Sequence, residues 1–272
     1  MLVRAKDIIL QSIDLYKKNT HLFIKYMLVL FIPTGIITIL GAIFGSTGEM
    51  VYLYGFGVTL TLYILLIILG SVASLWITLA FVKIISKRYK KQDTPDLKTN
   101  LASIKQLIIP AILVSILNAL IVIGGFILLI VPGIIFAIWF AFAIYDVALN
   151  NTKEPIQALK NSKKLVDGRW FEVIWLLVAP GFVFSVTAII IQKIISWPLN
   201  FITNTTIENS FSFFFLIALS SILSLAINLI FTPLTTAAPV ILYNELKKTP
   251  LEMDKPEHPD QIETPAEPPV MG

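Results

Sequence analysis

The side chains that could do chemistry in this chain are few and scattered. Cysteine is absent, and the two histidines, His21 and His258, lie near opposite ends. A zinc centre needs three or four converging ligands, and covalent catalysis needs a nucleophile with a base in hydrogen-bond reach. Neither pattern occurs, so the expectation is a protein that is not an enzyme, with no catalytic residue, metal site or cofactor. Asp146 is the one acid at the end of a long apolar run. Acids at membrane depth are often functional, but Lys153 or another loop base is near enough for an interfacial ion pair, and that pairing is the expectation. Lys193 closes a different apolar run, where its long stem can carry the ammonium to the headgroups.

Two amides fall in the middle of apolar runs instead. Asn118 stands among Ala111, Ser115 and Ala119, and Asn228 among Ser220, Ser221 and Ser224. Spacing of three and four puts each set largely on one helical face. Small residues allow close approach, and a buried amide bonding across helices contributes about 0.6–2 kcal/mol. Asn118 and Asn228 are therefore candidate midplane polar contacts, as packing bonds first and as the lining of a polar cavity second.

The elements that must position these groups follow from the charge pattern. Charged residues make up 14% of the chain and hydrophobic residues 56%, against about 25% charge in soluble domains. Basic residues fall in blocks, with uncharged runs at 26–48, 50–82, 106–145, 173–192 and 209–244. A bilayer core takes roughly 20 apolar residues per helix, so the fold class is all-α, a polytopic membrane bundle. The net charge of +4 comes from lysines beside spans and signals no nucleic acid.

The run 106–145 is too long for one helix, and Pro132-Gly133 inside it is a strong turn signal. The pattern predicts a hairpin with its turn at 131–133. Six spans result, near 22–44, 58–85, 107–130, 134–149, 170–191 and 211–243. A single kinked helix in their place would put the basic stretch 153–169 on the outer face, against the positive-inside rule. Both termini are then cytoplasmic. Residues 2–18 and 154–167 read as amphipathic surface helices, with Ile9, Ile13 and Tyr16 on one and Ile156, Leu159 and Val166 facing the membrane on the other. The six-span domain covers 1–248, and the Pro- and acid-rich segment 249–272 is a disordered tail. Lys87, Arg88, Lys90 and Lys91 form the densest basic cluster and are candidate contacts for anionic lipid.

The unit of surface helix, basic pair and proline-broken span occurs twice, at 12–35 and 162–181, as a parallel repeat would. The run Leu128-Leu-Ile-Val-Pro132-Gly133, then Tyr145-Asp146, Ala158-Leu159-Lys160-Asn161-Ser162, Gly168-Arg169-Trp170 and the closing Pro233-Leu234-Thr235-Thr236 with Leu242-Tyr243, carries a likeness. It resembles the glycerophosphoryl diester phosphodiesterase membrane-domain family and related prokaryotic multi-span proteins of uncharacterised function. The likeness covers most of 1–248 and implies a multi-span fold in a prokaryotic plasma membrane. The soluble barrel that carries the phosphodiesterase activity in some members has no counterpart here, so that activity does not carry over. The expected function is a scaffold or accessory protein binding lipid, a partner protein or a second copy at its cytoplasmic face. The competing expectation is a small transporter or channel-like protein for a lipid or uncharged solute.

Overall fold

The computed structural model describes residues 3–46, 55–205 and 211–249, and its long helices follow from the apolar runs. In chain order they are α1 (Ala5–Lys18), α2 (Thr20–Ser46), α3 (Phe56–Tyr89), α4 (Leu97–Ile104), a 3-10 turn (Lys105–Leu107), α5 (Ile108–Leu128), α6 (Ile130–Trp139), α7 (Ala143–Asn150), α8 (Pro155–Val166), α9 (Trp170–Thr205) and α10 (Phe211–Lys248). Among the described residues there is no strand. Six helical stretches are long and apolar enough to cross a membrane: Thr20–Gly41, Phe56–Tyr89, Leu97–Leu128, Ile130–Asn150, Trp170–Leu199 and Phe215–Lys248. The protein is thus an all-helical, multi-pass membrane protein. The tail expected from 249 onward lies outside the described residues beyond Thr249, as does most of the connection 45–57.

Packing is uneven along the bundle. Buried side chains crowd the end where the chain enters and where α10 finishes: Phe23 and Tyr26 on α2, Phe81, Ile84 and Ile85 on α3, Ile104, Val147, Ala158, Ile241 and Leu246 are all sealed. Tyr26 stacks on Phe81 with ring centroids 5.3 Å apart, and Phe23 meets the same ring edge-on at 5.2 Å. Toward the far end apolar side chains turn outward, among them Leu62 and Leu65 on α3, Ile123 and Ile127 on α5, and Ile190 and Ile194 on α9. Such faces need hydrocarbon around them, because water would make each of them costly.

The two short amphipathic helices turn their apolar faces into this sealed end. Ile8, Ser12 and Leu15 of α1 are buried, and α1 packs on α9 and α10. On α8, Leu159 and Val166 are buried while Ile156 is exposed. Leu159 and Val166, expected to face the membrane, face the protein instead, because α5, α6 and α7 offer a complementary apolar surface.

The hairpin is present, but it turns at Leu129 (φ −165°, ψ 155°), earlier than the 131–133 expected from Pro132-Gly133. Both residues lie in the first turn of α6. A proline near a helix start loses little, since the first N–H groups have no intrahelical partner. Gly133 sits under α5: a Cβ there would stand 2.6 Å from the Phe126 ring, and one on Gly125 would stand 2.9 Å from the Gly133 Cα. The Pro-Gly pair therefore lets two helices touch backbone to backbone, while the reversal itself comes before it.

The span expected as 134–149 is broken at 140–142 into α6 and α7. The buried Ser162 repairs the break from α8. Its hydroxyl donates to the Trp139 carbonyl at 2.7 Å and accepts from the Phe142 N–H at 3.0 Å. One side chain thus satisfies a backbone donor and acceptor that a dry interior would leave costly.

Candidate functional site

Polar side chains converge at the sealed end, and their centre is Asp146. It is 1% exposed, one turn before the end of α7. Its carboxyl accepts from the Tyr243 hydroxyl of α10 at 3.0 Å, the Thr152 hydroxyl at 2.7 Å, the Asn161 amide of α8 at 2.9 Å, and the Asn150 amide. The expected ion pair with Lys153 is not formed, and among the described residues Asp146 is in no ion pair. Neutral donors from three helices fill its lone pairs instead, which is how a buried carboxyl is accommodated without a buried cation.

The network continues to the surface. The Asn150 amide also donates to the Tyr243 hydroxyl at 2.8 Å, and its oxygen accepts from the Lys247 ammonium at 2.8 Å. Lys247 also stands 5.6 Å from the Tyr243 ring centroid. A second polar chain runs beside the first. Tyr89 at the end of α3 donates to Glu245 at 2.6 Å and to Gln11 of α1 at 3.2 Å, and Lys248 donates to Glu245 at 2.6 Å. Below it Asn244 and Ser86 are bonded to each other, both buried. On the α4 side, the fully buried Asn100 amide donates to the Tyr26 hydroxyl and the Ala80 carbonyl, each at 2.8 Å.

Arg169 closes the layer. Gly168 takes φ +80°, a conformation glycine adopts without strain, and this turn brings the guanidinium to two helix ends. It donates to the Leu165 carbonyl at 2.9 Å, Leu246 at 3.1 Å and Thr249 at 2.7 Å. The last carbonyls of a helix have no intrahelical partner and carry the negative end of its dipole, so Arg169 caps α8 and α10 together. Burial holds the guanidinium below its ordinary pKa, with Glu172 pulling the other way.

The basic cluster expected as lipid contacts lies on the rim of this layer. Lys87 and Arg88 end α3, and the helix closes with a Schellman-type pair: the Gln92 N–H reaches the Lys87 carbonyl at 2.9 Å, and the Lys91 N–H reaches Arg88 at 3.1 Å. Lys91 takes φ +56° at that cap. Partial burial, then Lys247 and Lys248, hold Lys90 below the usual lysine pKa. Two basic blocks far apart in sequence are thus one cationic rim, around Lys90, Lys247 and Lys248. Among the described residues no cluster of three His, Asp or Glu could hold a metal ion.

Asn118 and Asn228 are not brought together and, among the described residues, form no bond between helices. Asn228 is exposed and donates to its own helix, at the Ser224 carbonyl, 2.9 Å away. The Asn118 Oδ1 is buried with no hydrogen-bond partner among the described residues. Asn228 instead helps line a polar cleft of about 430 Å³ between α2, α9 and α10, with Thr38, Gln192, Lys193, Ser196, Ser220, Ser221 and Ser224. The asparagine amides that do cross between elements are Asn100, Asn150, Asn161 and Asn244, all at the sealed end. Depth in an apolar run does not distinguish a bonded amide from a lone one, so sequence reasoning missed them. One signal was available: Tyr145-Asp146, Asn161-Ser162, Gly168-Arg169 and Leu242-Tyr243 all belong to the stretches that carried the family likeness.

A family model described as a domain of unknown function (DUF7847) matches residues 100–246, which runs from Asn100 through the Asp146 network to Leu246. It shows no link to the glycerophosphoryl diester phosphodiesterase membrane domain. No curated protein and no solved structure matches the chain.

Proposed function

The chain belongs to the DUF7847 family, and from that premise we propose that it is a non-enzymatic membrane scaffold or accessory protein whose sealed polar end docks anionic lipid headgroups. The observation that carries this reading is the convergence of Lys90, Lys247 and Lys248 on a rim held by a buried, hydrogen-bonded layer. Each basic residue near a negatively charged bilayer surface contributes about 1 kcal/mol to attraction. In the layer beneath, the buried Asp146 carboxyl is saturated by four donors, which suits a structural role better than proton transfer.

In this reading the sealed end is cytoplasmic, because the basic residues collect there, and the membrane is a prokaryotic plasma membrane. Helices α1 and α8 lie at the headgroup level, with apolar faces on the protein and charged faces toward lipid or a partner protein. A relationship to the glycerophosphoryl diester phosphodiesterase membrane domain is part of the same proposal, resting on the stretches around Pro132, Asp146 and Trp170. The competing reading, a small transporter for a lipid or uncharged solute, draws on one observation: the polar cleft beside Asn228.

The test is lipid retention. The full chain is purified from nanodiscs of mixed phosphatidylglycerol and phosphatidylcholine, and the bound lipid is quantified. Enrichment of phosphatidylglycerol that disappears in the variant Lys90→Gln/Lys247→Gln/Lys248→Gln supports the proposal. Equal lipid ratios in both proteins overturn it.

A further inference from the structure

The polar cleft near the far end of the bundle carries a different chemistry from the sealed end. Among the described residues its wall holds Lys193, the one charged side chain there, and no carboxylate. The Lys193 ammonium, the Gln192 amide and the hydroxyls of Ser196, Ser221 and Ser224 make no side-chain hydrogen bond or ion pair with any described residue. Ser220 and Thr38, by contrast, spend their hydroxyl protons on their own helices, at the Ile217 and Thr34 carbonyls. The cleft therefore presents a cation and several uncommitted donors to one volume.

Depth and surroundings narrow the ligand. Lys193 lies 23 residues beyond Trp170, at the start of α9, so it is roughly 35 Å along the helix. That distance slightly exceeds a hydrocarbon core of about 30 Å, which puts the cleft at headgroup level on the face opposite the sealed end. Ile189 and Ile190, one turn back along the same helix toward the core, are exposed, giving acyl chains an apolar path down from the cleft. An ammonium in no ion pair with any described residue, beside hydroxyl donors, is the donor set for phosphate oxygens, which accept charge-assisted hydrogen bonds from several directions.

We infer that this cleft binds a phosphate group, carried by a membrane lipid or by a small soluble phosphate ester, with Lys193 as its counter-charge and Ser196, Ser221 and Ser224 as donors. The site is separate from the cationic rim of Lys90, Lys247 and Lys248 and independent of its proposed role. The experiment is native mass spectrometry of the full chain in detergent, carried out in the Lys90→Gln/Lys247→Gln/Lys248→Gln background so that the rim does not contribute. Dioleoyl phosphatidylglycerol, dioleoylglycerol and glycerol 3-phosphate are the probes. The phosphatidylglycerol adduct is expected to bind at least about tenfold more tightly than dioleoylglycerol, the loss of one charge-assisted contact being worth about that factor. Lys193→Gln should remove the difference, and Lys193→Arg should keep most of it.

Competition by glycerol 3-phosphate at concentrations comparable to the lipid supports the soluble ester as the source. Failure to compete while the lipid binds supports the lipid. Equal binding of dioleoylglycerol, or an undiminished phosphatidylglycerol adduct in Lys193→Gln, overturns the inference. So does loss of the adduct in Lys193→Arg when its thermal melt is unchanged.

Discussion

Replacing Asp146 with alanine tests whether the sealed end is one cooperative network. The substitution removes a carboxyl that accepts from Tyr243, Asn150, Thr152 and Asn161. Tyr243 is 1% exposed, so its hydroxyl loses the Asp146 acceptor with little access to water in exchange, at a cost of about 1–3 kcal/mol. Thr152 and Asn161 are half-buried and Asn150 is exposed, so these three donors partly rehydrate, losing about 0.5–1.5 kcal/mol each. Against this, the variant no longer buries a carboxyl, which returns part of the desolvation cost. The net expectation is a destabilisation of about 2–4 kcal/mol, well above the roughly 1 kcal/mol of a typical substitution. Reversible unfolding in mixed micelles, followed by tryptophan fluorescence, measures it. Tyr243→Phe alone should cost about 1–1.5 kcal/mol. The double variant should cost less than the sum of the two by about 1–2 kcal/mol, because both remove the same bond. An Asp146→Ala variant within about 0.5 kcal/mol of the parent, or strict additivity with Tyr243→Phe, would refute the network.

Other substitutions probe the remaining joints. Ser162→Ala strips partners from the Trp139 carbonyl and the Phe142 N–H, and the same unfolding assay should show a loss of about 1–3 kcal/mol. Gly125→Ala places a methyl 2.9 Å from the Gly133 backbone and should cost about 1–3 kcal/mol by forcing the hairpin apart. Its neighbour Gly124 has open space around it, so Gly124→Ala should be neutral or stabilise by up to about 1 kcal/mol through helix propensity. Asn100→Ala leaves the Tyr26 hydroxyl and Ala80 carbonyl without their donor in a sealed site. It should lower the unfolding free energy by about 2–3 kcal/mol.

The helical architecture was legible in the sequence because a bilayer imposes one condition on every span, a long run without charge, and that condition is local. The hairpin was legible for the same reason together with the sign of the loop at 153–169. Its turning point was not: Pro132-Gly133 reads as a turn, but whether a proline makes a reversal or starts a helix depends on what packs over it, here Phe126 of α5. The break at 140–142 was invisible because the groups it frees at Trp139 and Phe142 are satisfied by Ser162, some twenty residues later. The Asp146 network was invisible for a related reason. Tyr243 lies 97 residues from Asp146, and each member alone has an ordinary role as cap, loop residue or interfacial aromatic. Asn118 and Asn228 stood out by their depth in apolar runs, yet neither bonds across helices, whereas the amides that do are near charged loops, where polar residues attract no notice.

The most direct test of the lipid-docking account compares stability in two bilayers. The full chain is reconstituted into phosphatidylglycerol and into phosphatidylcholine nanodiscs, and its thermal unfolding midpoint is read at low and high salt. Specific binding of headgroups to the folded state must raise the midpoint, and the cationic rim makes that gain sensitive to screening. The account predicts a higher midpoint in phosphatidylglycerol at low salt, a smaller difference at high salt, and no difference in the Lys90→Gln/Lys247→Gln/Lys248→Gln variant. Equal midpoints for the parent in both lipids, or an undiminished phosphatidylglycerol advantage in that variant, would contradict it.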